Sequence, residues 1–190
     1  MKTGLPKTFP ILETERLILR SLTPDDKEGV FRNFSDQEVT EHLMAPFKNI
    51  GQAEEIIKAF VEEFEQGNAL TWAITLKPDG EFLGTCSCEM NSDDRAELGF
   101  DLARSHWGKG LMSEALRVVV QFGIENLNLK QIKAHTYLLN YRTIRLLKKL
   151  DFNLDGVLSN NSFMNGKFHD EIFFSLWKAN RQNHQSNIPD

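Results

Sequence analysis

The chain has 190 residues, 41% of them hydrophobic, and a formal net charge of −5, which fits one globular domain able to bury a real core. No block of Lys and Arg stands ready to neutralise phosphates, which argues against a nucleic-acid partner. The N-terminus lacks the apolar core of a signal peptide and no apolar run approaches the ~20 residues of a membrane span, so no membrane partner and a cytoplasmic location are expected.

Residues 15–20, Glu-Arg-Leu-Ile-Leu-Arg, read as a first strand. Thr23-Pro24-Asp25-Asp26 then opens a helix: Thr23 can cap, Pro24 fits the first turn, and carboxylates favour the positive end of the helix dipole. A second helix is expected over 52–66, with Ile56, Ile57, Phe60, Val61 and Phe64 at helical spacing and Gly67-Asn68 as its stop. Residues 70–76 and 81–89 read as a hairpin around the Lys77-Pro78-Asp79-Gly80 turn. Cys86 and Cys88 share one face of that second arm, too close along a single strand for a disulfide, and no second Cys or His pair stands at metal spacing. Two reduced thiols and no metal are the expectation.

A turn at 91–94 leads to a strand over 96–102. Residues 110–127 form a long helix, apolar on nearly every side and therefore largely buried. A strand over 131–138, a basic helix over 141–150 and strands over 152–158 and 168–177 complete the pattern. Strand, crossover helix and strand imply a parallel pair at the centre of the sheet. The tail after Lys178 is polar. Without repeats, low-complexity tracts or a linker, the whole of residues 1–190 reads as one mixed α/β domain with its core over about 12–178.

The sharpest chemical feature is Ser105-His106-Trp107-Gly108-Lys109-Gly110-Leu111-Met112, between a strand and a buried helix. Glycines allow close approach of a ligand, and the first amides of a helix have no partner within it. With the helix dipole, these suit a pyrophosphate; a plain glycine-containing turn is the alternative. Two other phosphate loops do not fit. A Walker A loop needs Gly where Ala103 stands and Ser or Thr where Gly110 stands. The dinucleotide fingerprint fails at its third glycine, which is Ser113, and finds no acidic residue at the end of the next strand.

Taken together, Leu12-Glu13-Thr14-Glu15-Arg16-Leu17-Ile18-Leu19-Arg20, Ala96-Glu97-Leu98-Gly99-Phe100 with Trp107-Gly108-Lys109-Gly110, Asn140 with Thr143, Leu147-Lys148-Lys149-Leu150-Asp151-Phe152, and Asn165-Gly166-Lys167-Phe168-His169-Asp170 span nearly the whole chain. Their order and spacing resemble the GNAT acetyltransferase superfamily, and within it the RimJ/RimL-type ribosomal-protein N-terminal acetyltransferases. The resemblance implies a single α+β domain with a mixed, mostly antiparallel sheet of about seven strands, splayed at the cofactor site and flanked by about four helices. It implies acetyl-CoA as cosubstrate and an amine-bearing acceptor, a peptide N-terminus or a small molecule. It also implies that Phe100, Asp101 and Leu102 hold pantetheine in the splay, with a backbone amide polarising the thioester carbonyl. The amides from Gly108 to Met112, beside Trp107 and Lys109, would bind the pyrophosphate, and Asn140 would hydrogen-bond the cofactor or cap its helix.

Acyl transfer to an amine needs a proton removed from the ammonium and one given to the leaving thiolate. Glu97 stands where many members of the superfamily carry a general base; substrate binding, or pairing with Arg95, is its alternative role. The usual tyrosine acid is replaced by Leu147, against the cofactor, so the hydroxyl of Thr143 takes that task by resemblance. Ser162 stands where the RimL-type branch has a glutamate proposed as base, leaving Glu97, with His135 or His169, as titratable candidates. These departures keep open a non-catalytic acyl-CoA-binding module as the alternative to an enzyme. The excess of carboxylates mildly favours cationic acceptors, residues 41–49 and the last hairpin would form the acceptor surface, and a homodimer would help to enclose a peptide.

Overall fold

The computed structural model describes residues 4–164 and 166–179. Asn165 of the last hairpin motif and nearly all of the polar tail lie outside them. The described residues form one eight-stranded sheet in the order β1-β2-β3-β4-β5-β6-β8-β7. Its strands are β1 (Leu12–Glu13), β2 (Leu17–Ser21), β3 (Ala69–Leu76), β4 (Glu81–Ser92), β5 (Arg95–Leu102), β6 (Gln131–Tyr137), β7 (Asn153–Met164) and β8 (Lys167–Trp177). The helices are α1 (Lys27–Ser35), α2 (Gln37–Thr40), α3 (Ile50–Glu65), α4 (Leu111–Glu125) and α5 (Tyr141–Lys149).

Local chemistry sets most of these boundaries. The first helix begins as a 3-10 turn over Pro24–Asp26, where Thr23 and Asp26 form a capping box. Gly67, at φ 75°, ends α3, with the Asn68 amide reaching back to the Glu63 carbonyl at 2.9 Å. Asp151 ends α5 at φ 65°, a conformation Asp tolerates better than most residues, and Phe152 N–H donates to the Leu147 carbonyl at 3.1 Å.

Alternation along β3 divides the core. Trp72 and Ile74 join Leu116, Val119, Ile132, Ala134 and Phe174 in a large cluster that includes the inner side of α4. Ala73 faces a smaller one with Val30 and Phe34 of α1 and Ala53 and Ile57 of α3. With one face of the sheet under α4 and the other under α1 and α3, side chains on β3 and β4 are buried on both sides.

The expected fold of about seven strands and four helices is found, with β1 and the one-turn α2 in addition, so the described residues hold eight strands and five α-helices. One boundary is corrected. The expected strand over 152–158 runs instead from Asn153 to Met164. Past Leu158, a register shift before Ser162, with Asn160 at φ 53°, lets pairing with β8 resume at Ser162↔His169. Cys86 and Cys88 are buried free thiols, as expected, and burial pushes the Cys88 thiol up to about 12.

Candidate active site

β5 and β6 form the expected parallel pair, joined by the α4 crossover, but they pair only over Arg95↔Gln131, Ala96↔Ile132 and Glu97↔Lys133. Beyond Glu97, β5 stays on β4 as far as Leu102↔Gly84, while β6 follows β8 to Tyr137↔Glu171. The two central strands therefore part, and a cleft of about 1190 Å³ opens between them. Glu97, Phe100, Asp101, Leu102, Trp107, Gly108, Gly110, Leu111, Met112, Asn140 and Thr143 all line it.

At one end of the cleft, the chain leaves Leu102 through a 3-10 turn over Arg104–His106 and enters α4. Gly108 and Gly110 take φ of 76° and 78°, left-handed values open to glycine at no steric cost. A side chain at Gly108 would meet nothing within 4 Å, so this stretch of backbone is bare. Glu114 N–H makes the first helical bond, 3.0 Å to the Gly110 carbonyl. The amides of Leu111, Met112 and Ser113 thus have no partner within the helix, at the positive end of its dipole. Trp107 braces the turn by donating its indole N–H to the Leu102 carbonyl at 2.8 Å, and the Arg142 guanidinium sits 4.2 Å above its ring.

At the other end, His135 Nδ1 lies 2.5 Å from Glu97 Oε1. The His135 hydrogen bond, opposed by partial burial, holds the Glu97 carboxyl below its ordinary value. Reciprocally, the bond to Glu97 raises His135, with burial opposing and Glu171 and Glu89 adding to the rise. The His135 ring stacks on Phe173, with centroids 5.6 Å apart. Nearby, Tyr137 lies between two imidazoles, His42 at 5.7 Å and His169 at 4.7 Å. Burial is the main cause of the lowered pKa of His42, which favours its neutral form.

Other expected residues take different places. Asn140 accepts the Thr143 N–H on Oδ1 at 3.2 Å, so its oxygen caps α5, and its NH2 has no hydrogen-bond partner among the described residues. Asp101 lines the cleft, yet its buried carboxylate turns to Thr85, through both N–H and hydroxyl, and to Asn33. Burial pushes it up to about 6 despite those bonds. Leu147 is fully buried in the main cluster and is not part of the cleft wall, where Leu146 stands instead. Lys109 is not part of that wall either; its carbonyl accepts from Arg16 at 3.1 Å. Of the expected acceptor stretch, Glu41, His42 and Leu43 line the cleft while Phe47 packs on Phe34. Glu38, Glu89, Tyr137, Arg142 and Glu171 line it too and escaped the sequence reading, each being a single polar or aromatic residue within a strand or short helix.

Comparison with known proteins agrees with this arrangement. Residues 16–153 match the acetyltransferase (GNAT) domain family. The uncharacterized N-acetyltransferase p20 of Bacillus licheniformis is 36% identical over 170 residues, spanning 88% of this chain and 96% of that protein. The uncharacterized N-acetyltransferase YoaA of Bacillus subtilis is 35% identical over 173 residues, spanning 90% and 98%. A solved structure of RimL, a ribosomal L7/L12 alpha-N-protein acetyltransferase in complex with coenzyme A, shares the fold at a TM-score of 0.81 and 16% identity, over 88% of this chain and 98% of that one. The chain belongs to the GNAT acetyltransferase family and is an N-acetyltransferase.

Proposed function

We propose that this enzyme uses acetyl-CoA as cosubstrate and acetylates the amine of a peptide N-terminus, on a ribosomal or other protein, within one ternary complex. The observation that carries the reading is the parting of β5 from β6 after Glu97, with bare helix amides at one end of the cleft and a Glu–His pair at the other. A cleft of about 1190 Å³ suits a long ligand and an acceptor together, and glycines without obstruction fit a pyrophosphate. Bound there, acetyl-CoA would supply an activated acetyl group as a thioester.

The backbone of Phe100, Asp101 and Leu102 would hold pantetheine in place of the missing β6 partner, and an amide of this segment would polarise the thioester carbonyl. The amides from Gly108 to Met112 would seat the pyrophosphate, and the free NH2 of Asn140 would add a donor. Glu97 and His135, acting as one coupled base, would take the proton that the acceptor ammonium must lose before its nitrogen can attack. The Thr143 hydroxyl, on the cleft wall, would protonate the sulfur as the carbon–sulfur bond breaks. The resemblance of the opening strand to the RimJ/RimL-type branch, and the shared fold of RimL, support an α-amine acceptor.

The test is release of free thiol from acetyl-CoA with and without acceptors. Turnover with N-terminal peptides of ribosomal proteins is expected. Turnover confined to small polyamines or amino acids would reject the peptide acceptor.

A further inference from the structure

We infer that Arg16 is a positioning residue for the pyrophosphate loop, clamping it from the bend just before β2, an inference that rests on reading Gly108 to Met112 as the pyrophosphate site. The Arg16 guanidinium makes two attachments. Its Nη1 donates to the Lys109 carbonyl at 3.1 Å, between the two left-handed glycines. Its Nε and Nη2 grip Glu114 Oε2 at 2.7 and 2.5 Å, one turn into α4. The other Glu114 oxygen accepts from Thr14 Oγ1 at 2.5 Å and from the Arg16 amide at 3.0 Å. Both carboxylate oxygens are therefore occupied.

The clamp is fixed at its base as well. Lys77 N–H donates to the Arg16 carbonyl at 2.8 Å, and Lys77 Nζ donates to the Thr14 carbonyl at 2.8 Å. Thr14 and Leu17 exchange bonds across the intervening turn, Thr14 N–H to the Leu17 carbonyl at 3.0 Å and Leu17 N–H to Thr14 Oγ1 at 2.9 Å. An isolated surface ion pair contributes little, but here two guanidinium nitrogens converge on one Glu114 oxygen while the other oxygen and the guanidinium's remaining nitrogen are hydrogen-bonded in turn.

Two consequences bear on anion binding. First, a loop that owes its shape to glycines has many alternatives when free, and fixing the carbonyl between them removes those alternatives before a ligand arrives. Second, Glu114 places a negative charge in the first turn of the helix meant to receive a pyrophosphate. Arg16 neutralises that charge while its own position is spent on the loop, so the amides keep their positive field. Lysine at this position would keep the charge but not the fork that reaches both attachments.

The experiment compares acetyl-CoA with acetyl-pantetheine, which lacks the pyrophosphate, in wild type, Arg16→Gln and Arg16→Lys. Affinity is measured by calorimetry, with thermal unfolding as the control for folding. In both variants the Kd for acetyl-CoA is expected to rise about tenfold while that for acetyl-pantetheine stays within about twofold. Equal losses for the two ligands, or wild-type affinity in Arg16→Lys, would overturn the clamp. A wild type that binds both ligands equally would instead overturn the pyrophosphate site itself, and the clamp with it. Should Arg16→Gln fail to fold, Arg16→Lys carries the same comparison.

Discussion

His135 of β6 sets its Nδ1 2.5 Å from the Glu97 carboxylate of β5, reaching back from two residues beyond Lys133, which pairs with Glu97 in the last rung of the parallel strands. The pair stands at the point where the sheet opens, and both residues line the cleft. Each partner keeps the other charged: Glu97 is lowered and His135 is raised.

This coupling predicts the pH profile. As the proposed base, the pair would accept a proton only when His135 is neutral, so activity is expected to rise with pH through a value above the ordinary 6.5 of histidine. Glu97→Gln removes the main cause of the raised His135 value, and the rising limb of kcat/KM should move to lower pH while kcat falls. A limb that does not move in Glu97→Gln would show that the pair is not the base.

Thr143 is expected to act on the leaving sulfur and not in binding. Thr143→Ala should lower kcat by about 10²-fold with the KM for acetyl-CoA nearly unchanged, and Thr143→Ser should recover most of the loss. The capping bond to Asn140 uses the backbone N–H of Thr143 and survives in both variants. Steady-state kinetics of the two variants are sufficient to check this.

Asp101 gives a stability prediction independent of catalysis. Burial raises its carboxyl from 3.8 to about 6 against the bonds from Thr85 and Asn33. The folded state therefore holds this proton more tightly than the unfolded chain does, and stability from this group is present at low pH and lost as pH climbs from about 4 to 6. The cost above pH 6 is at most about 3 kcal/mol. Asp101→Asn, which cannot ionise, should gain in melting temperature relative to wild type across that window. A constant difference between the two proteins from pH 4 to 7 would contradict it.

Gly110 starts α4 in the left-handed region, with only Arg16 Nη2, at 3.7 Å, near the place of a Cβ. Gly110→Ala thus meets conformational strain of about 1–2 kcal/mol and no clash. Acetyl-CoA affinity should fall about tenfold while the melting temperature drops by a few degrees, both measurable on the same sample.

Much of the frame was legible because its signals are local. Gly67, Gly80, Thr23-Pro24 and Asp151 mark their turns through their own backbone preferences, and each occupies the place the sequence suggested. The left-handed turn at Gly108 and Gly110 was legible for the same reason, since it depends on the backbone of the loop and the start of the helix. Long-range pairing was not. Arg16 and Glu114 lie 98 positions apart, and nothing near either residue points to the other. Glu97 and His135 were both titratable candidates, but only the strand register sets one against the other. The length of β7 escaped for a related reason: β8 holds a polar segment in the sheet that its own composition would release. The burial of Leu147 was not legible either: the family resemblance puts a cofactor-facing tyrosine there, whereas the leucine lies in the core and Leu146 lines the cleft.

Calorimetric titration with acetyl-CoA, using NADH as control, tests the central claim most directly. Saturable binding of acetyl-CoA in the micromolar range, with no heat from NADH, is the predicted result. Absence of acetyl-CoA binding by the folded protein would contradict the cofactor site and, with it, every catalytic role given to Glu97, His135 and Thr143.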